Sequence, residues 1–136
     1  MQDMWEKWTV LGTNAGITCL MRAPIGDIIA AAGGTAAILR LFHECSSVAE
    51  ASGFKPRPHF VEFCMNMFTQ AGSPLKASIL RDIERGAPTE GEHVLGDMVT
   101  GARVLGIETP VLGLAHSHVA AYESGRAREA AARAAE

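Results

Sequence analysis

This sequence lacks the features that would mark several functional classes. Neither sign of charge dominates: 12 lysines and arginines against 15 acids give a net charge of −3. With a pI near 5.9, there is no basic excess to neutralise a phosphate backbone, so nucleic-acid binding is not expected. Cysteines number three, none in a C-x-x-C pair. An odd count argues against a disulfide framework and for a reducing, cytoplasmic setting. No secretory signal opens the chain, since MQDMWEK has no basic segment before an apolar run. No hydrophobic run reaches the roughly 20 residues of a membrane span, and Trp8 to Met21 is interrupted by Gly, Thr and Asn. Alternating β-branched segments bounded by hairpin turns are missing, as are internal repeats. His116 and His118, two apart, face different ways on a helix, and His43 has no partner at ligand spacing, so no metal site is expected.

What is present is an amphipathic helical pattern. Hydrophobic residues make up 48% of 136 and charged residues 20%, values that support one globular domain with a real core. A first helix is expected from an Asp3 cap to about Arg22, with Trp8, Leu11, Ile17, Leu20 and Met21 as its stripe. Gly12 and Gly16, four apart, predict the close crossing of another helix. Lys7, read by itself, is a solvated lysine paired with Asp3. Pro24 breaks the helix, and a short turn follows over 27–32. Thr35 caps a second long helix to about Ser52, with Gly53 in the left-handed position after it. Arg40 and Glu44 form an i,i+4 pair away from its apolar face. A third helix over 59–70 holds Phe60, Phe63, Cys64, Met67 and Phe68, which predicts a central buried element. A helix over 90–105 buries Val94, Leu95, Met98, Ala102 and Leu105. The last helix starts at Pro110, with Leu112, Leu114, Ala115, Val119 and Tyr122 apolar. The stretch after Ser124 is rich in helix formers with little to bury, a solvated helical extension or a frayed tail. The expected class is all-α with five or six main helices: a domain over residues 1–123 and an extension over 124–136.

The densest chemistry lies between Leu75 and His93, LKASILRDIERGAPTEGEH. It reads as a short helix to about Glu84, a break at Arg85–Pro88 and a new helix start. Thr89 and Glu92 stand in capping-box register.

Ser78-Ile79-Leu80-Arg81-Asp82-Ile83 followed by Thr89-Glu90 resembles the S-M-L-x-D-(I/L)…T-E signature of the C-terminal domain of ketopantoate reductases (2-dehydropantoate 2-reductases). Trp5-Glu6-Lys7 resembles the W-x-K that opens that domain, and Gly106-Ile107-Glu108-Thr109-Pro110 its G-(I/V)-x-(T/V)-P. The three motifs fall in the family's order, from Met4 to about Tyr122. The resemblance implies the helical fold of the 6-phosphogluconate dehydrogenase C-terminal type. It also implies NADPH-dependent reduction of a 2-oxo acid on the pantothenate route. By the same resemblance Lys7 is the acid that polarises and protonates the ketone, and Glu90 holds the lysine or a substrate hydroxyl. Ser78 matches the residue that binds the substrate carboxylate, and Asp82 and Thr89 support the site. Asn14 is a candidate substrate-binding residue near Leu11 and Ala15, where the family's two gripping asparagines fall, and Lys76 is a candidate cation for the carboxylate, because Leu75 stands where the family often has a polar amide.

No strand followed by G-x-G-x-x-G is present, so the N-terminal Rossmann domain that would hold NADPH is expected to lie outside this chain, which alone is expected to be inactive. Exposure of a face that such a domain covers predicts a homodimer. The competing expectation is a non-catalytic helical dimerisation or interaction module, supported by the Gly12/Gly16 face and the two lost asparagines. A related hydroxyacid dehydrogenase is disfavoured by the Ser78…Glu90 spacing.

Overall fold

The computed structural model describes residues 1–136, and every regular element in it is helical. α1 spans Gln2–Met21, α2 Ile25–Ala30, α3 Gly34–Ala51, α4 Pro58–Phe68 and α5 Ser78–Glu84. A five-residue π-turn, Glu92–Gly96, leads into α6, Asp97–Val104, and α7 runs over Pro110–Ala134. The expected all-α class and its main helices are present. Several ends differ by a few residues. Met1, not Asp3, precedes α1. Gly33, at φ 82°, precedes α3 in place of Thr35, and Gly53 takes its expected left-handed place at φ 95°. α1 closes on Arg22 at φ 57°, the one positive-φ residue that is not glycine, two residues before the helix-breaking Pro24.

The central helix is α1, not α4. From Gly12 to Cys19 nearly every side of α1 is buried, enclosed by α3, α5, α7 and the π-turn. Three threonines on this helix would each bury a hydroxyl without a partner. Each instead donates to its own helix: Thr9 to the Trp5 carbonyl at 2.8 Å, Thr13 to that of Thr9 at 2.8 Å and Thr18 to that of Asn14 at 2.6 Å. The glycine face is a crossing point, as expected. A Cβ at Gly16 would sit 2.7 Å from Leu41 of α3, and one at Gly12 3.4 Å from Cys45.

α4 is peripheral. Cys64 and Phe68 are buried, but Phe63 is 60% exposed. It lies about 100° round the helix from Cys64, because adjacent positions differ by that angle. Leu11, Met21, Leu105 and Leu114 are exposed too, each at the margin of a stripe whose centre is buried. The three cysteines are buried and free, and burial pushes each thiol up to about 12, which leaves them protonated and unreactive.

The helix expected from Leu75 begins only at Ser78. Upstream the chain is an extended strap whose carbonyls serve α2: Ser73 accepts from the Gly26 N–H at 2.8 Å and Leu75 from that of Ile25 at 2.9 Å. α5 stops at Gly86, φ 72°, and the break is fastened to α7. Tyr122 donates its hydroxyl to the Ala87 carbonyl at 2.6 Å, and Arg126 donates to that of Gly86 at 3.0 Å. The capping box is half formed. Thr89 Oγ1 accepts from the Gly91 N–H at 3.2 Å. Glu92 does not return the bond. It pairs with His116 at 2.9 Å, and Glu123 accepts the Thr89 N–H at 3.1 Å. α7 continues unbroken through the Ala-rich stretch, so that segment is helical.

The Arg40–Glu44 pair is present at 3.3 Å, but Glu44 does not lie on an open face. Its side chain is 2% exposed, and it accepts the N–H groups of Val111 at 3.2 Å and Leu112 at 2.8 Å. Glu44 therefore caps α7 from α3, where Thr109 supplies no side-chain cap. A carboxylate there also meets the positive end of the helix dipole.

Candidate functional site

A cavity of about 220 Å³ opens between α1, the start of α5 and the approach to the π-turn. Its polar walls are Asn14, Ser78 and Glu90. Leu11 and Ala15 of α1, Ala77 and Ile79 beside α5, and Val94 of the π-turn supply the rest. Three residues far apart in sequence and singled out there thus meet in one place. Local backbone explains how. Thr18 accepts the Ala77 N–H at 3.3 Å while donating to the Asn14 carbonyl. One threonine so ties the start of α5 to the turn of α1 that carries Asn14. Across the cavity, the Trp8 indole donates to the Val94 carbonyl at 3.0 Å, which fixes the wide π-turn against α1. Such turns recur at functional sites.

Asn14 Oδ1 has no hydrogen-bond partner within the protein and lines the cavity, so a ligand or a water there would be its partner. Ser78 and Glu90 are exposed at the rim. Lys7 is not part of the wall. It lies one turn before Leu11 on the same side of α1, in the i, i+4, i+7 register with Leu11 and Asn14, and it is exposed. The expected Asp3–Lys7 pair is not formed, since Asp3 accepts from Arg57 at 2.6 Å and Lys7 makes no ion pair. Lys76 is not brought to the cavity, because its ammonium is held by Glu84 at 2.8 Å. Asp82 accepts from Arg85 at 2.7 Å, beside the break that delivers Thr89 and Glu90.

Sequence reasoning missed Glu6. Its carboxylate is buried next to Lys7 and accepts from the Arg57 backbone N–H at 2.8 Å and its Nη2 at 2.6 Å. The Arg57 hydrogen bonds hold Glu6 at about 2, down from an ordinary 4.5, against the opposing effect of burial. The partner lies 51 residues away, a separation that helical periodicity cannot signal. A group whose pKa falls on folding adds stability that is complete above its unfolded pKa and is lost as pH falls toward the folded one. Thermal stability should therefore decline as pH drops from about 5 to about 2, and Glu6→Gln should flatten that acid limb. An unchanged slope of Tm against pH in the variant would refute the assignment.

A larger, more open depression of about 370 Å³ at the α6–α7 corner is lined by Arg103, Glu108 and Thr109. No buried, unpartnered polar atom faces it, so the smaller cavity is the better candidate.

Residues 1–123 match the family described as ketopantoate reductase PanE/ApbA C terminal. The chain is 32% identical over 123 residues to the uncharacterized oxidoreductase YkpB of Bacillus subtilis, covering 90% of this chain and 41% of that protein. It is 32% identical over 108 residues to a 2-dehydropantoate 2-reductase of Pyrobaculum aerophilum, covering 77% and 38% respectively. A dimeric ketopantoate reductase from Staphylococcus aureus superposes with a TM-score of 0.81 at 25% identity, over 92% of this chain and 44% of that one. D-mandelate dehydrogenase in complex with NADH and anilino(oxo)acetate shares the fold at a TM-score of 0.76 and 18% identity, over 92% and 52%. The chain spans about two-fifths of the length of the curated relatives it matches.

Proposed function

The chain belongs to the ketopantoate reductase PanE/ApbA C-terminal family, and from that premise we propose that it is the substrate-binding and catalytic helical domain of an NADPH-dependent reductase of 2-oxo acids. The observation that carries this reading is the cavity that gathers Asn14, Ser78 and Glu90 along the α1 face bearing Lys7. A 2-oxo acid presents a carboxylate and a ketone. The Ser78 hydroxyl and the Asn14 carboxamide are donors for the carboxylate. The Lys7 ammonium, free of any competing acid, is the group that polarises the ketone and gives its proton to the oxygen as charge develops there. Glu90, on the cavity rim, is the acceptor that would turn Lys7 inward when substrate is bound. Asp82 and Thr89 brace the turn that carries Glu90.

Nothing in this all-helical chain fits NADPH, which requires a strand, a glycine-rich turn and a helix. In this proposal the cofactor is held by an N-terminal Rossmann domain and supplies hydride from there. The working enzyme is cytoplasmic, and residues 1–123 form the domain with 124–136 as its helical extension. A homodimer built through this domain belongs to the same reading. Leu11 and Ala15, in place of the family's asparagines, favour the rival reading of a non-catalytic module.

One assay separates the two. Joined to the nucleotide-binding half of a two-domain relative, the chain should oxidise NADPH in the presence of one or more 2-oxo acids, and Ser78→Ala should raise KM about tenfold with kcat little changed. A fusion that binds NADPH yet reduces no acid in a broad panel would establish the non-catalytic module instead.

A further inference from the structure

We propose that Tyr122, Glu123 and Arg126 are positioning residues, with which α7 fixes where the Glu90 carboxylate stands on the cavity wall. That the carboxylate so placed serves catalysis rests on the reading of the cavity as a 2-oxo acid site.

The contacts between α7 and the run 86–92 form one antiparallel register. Arg126 donates to the Gly86 carbonyl at 3.0 Å, and Tyr122 donates to that of Ala87 at 2.6 Å. Glu123 accepts the Thr89 N–H at 3.1 Å. Val119 lies against Gly91, where an added Cβ would collide with it. His116 meets Glu92 at 2.9 Å. As the run advances from 86 to 92, its partners step back along α7 from 126 to 116. The steps are of three or four residues, so the partners share one side of the helix. Of the three polar side chains in the run, Thr89 accepts the Gly91 N–H, Glu92 is taken by His116, and Glu90 is left to the cavity.

The run has little of its own to hold this shape. The Gly86 and Ala87 N–H groups bond back to α5, at 3.1 and 2.8 Å. Pro88 has no N–H to offer. The next backbone donor is Thr89, and the side chain that takes it stands 34 residues on in the sequence. The place of Glu90 therefore depends on α7. Glu123 also pairs with Arg126 at 3.6 Å, which braces the two prongs against each other. Arg126 lies past residue 123, where the family match ends, so the helical extension takes part in holding the cavity wall. Displacing a group at a site by about 1 Å costs up to about a hundredfold in rate, so loss of one prong should be felt there without unfolding the domain.

Glu123→Ala, Glu123→Gln and Glu90→Ala provide the test. In the 136-residue chain carrying Glu123→Ala, the Thr89 amide should exchange with solvent at least about tenfold faster, with amide NMR shift changes at Glu90 and Val94. Glu123→Gln keeps an oxygen that can accept the bond and should stay within about threefold of the original rate. Tyr122→Phe and Arg126→Ala should move the same amides, and either residue loses its role if they do not. The Glu123 side chain is 37% exposed, so the fold should persist, and the spread of the amide spectrum verifies it. In the fusion to the nucleotide-binding half of a two-domain relative, Glu123→Ala should lower kcat about tenfold or more with KM little changed. Added to Glu90→Ala it should cost nothing further, because a residue that acts through Glu90 has nothing to position once that carboxylate is gone. Losses that multiply would show that Glu123 acts by another route and would overturn the positioning role. Unchanged exchange at Thr89, or unchanged kcat in an active fusion, would overturn it as well. A fusion that reduces no acid, with the Thr89 exchange and the Glu90 shift changed as expected, would leave the clamp standing and remove the reductase reading alone.

Discussion

In the proposed reductase, read in the fusion to the nucleotide-binding half of a two-domain relative, Lys7→Ala should lower kcat by about a thousandfold while KM stays within a few-fold of its original value. The size follows from what the ammonium is asked to do. Positioned proton donation contributes roughly 10² to 10⁴ in rate, and a fixed positive charge beside the developing alkoxide adds to it. On the proposed reading KM should hold, because Ser78 and Asn14, the groups that would grip the substrate carboxylate, are not touched by the substitution. The fold should hold as well. Lys7 is exposed and unpaired, and such surface changes shift stability by less than about 0.5 kcal/mol. Lys7→Arg separates the two contributions, since guanidinium keeps the charge but does not release a proton at accessible pH. It should recover only part of the loss. Wild-type turnover in Lys7→Ala, with the melting temperature unchanged, would take the acid role away from this residue.

Glu44→Ala should cost about 3 kcal/mol of stability and lower Tm by roughly 10 °C. The carboxylate is buried, and it holds two backbone N–H groups at the start of α7. Hydrogen bonds to a charged group contribute roughly 1.5 to 3 kcal/mol each. Local Ser or Thr caps contribute about 1 kcal/mol, but here no local cap exists to take over. Removal leaves two donors without a protein partner, the Leu112 N–H in a buried position, and an unpaired buried group costs about 1 to 3 kcal/mol. Glu44→Gln keeps an oxygen in place without the charge and should lose about half as much. Urea unfolding followed by circular dichroism measures both. A loss under about 1 kcal/mol for Glu44→Ala would mean that water or Thr109 replaces the cap.

Glu44 and Glu6 also mark where the sequence stopped being legible. The helical class, the crossing at Gly12 and Gly16 and the left-handed Gly53 could all be read, because each depends on residues within a turn or two of one another. The meeting of Ser78 and Glu90 was legible only through motif order, which carries information that periodicity lacks; Lys7, expected to converge with them, stands outside the wall, and Asn14, which belongs to none of the motifs, is there instead. Glu6 looked like an ordinary first-turn acid, yet its partner is the residue that precedes α4. Glu44 looked like half of a surface pair, although its strongest bonds go to a helix that starts 66 residues later. Phe63 was assigned to the core because phenylalanine usually is, but α4 lies at the edge and has only one covered side. The register Thr89–Glu92 was correct as a pattern. It failed as a pair because Glu123 and His116, both on α7, offered better partners.

The position of α1 has a consequence for the order of folding. It precedes the other helices of this domain in the chain and is the one most enclosed among them, with α7, the last of these helices, covering one of its sides. Its apolar flank cannot be sealed by near neighbours in the chain. Contacts of such long sequence separation delay closure, since the intervening loop must be ordered before they form. Docking of α7, held by the Glu44 cap and the Tyr122 anchor, closes that flank. Until synthesis reaches that helix, the nascent chain exposes the groove that α7 will fill.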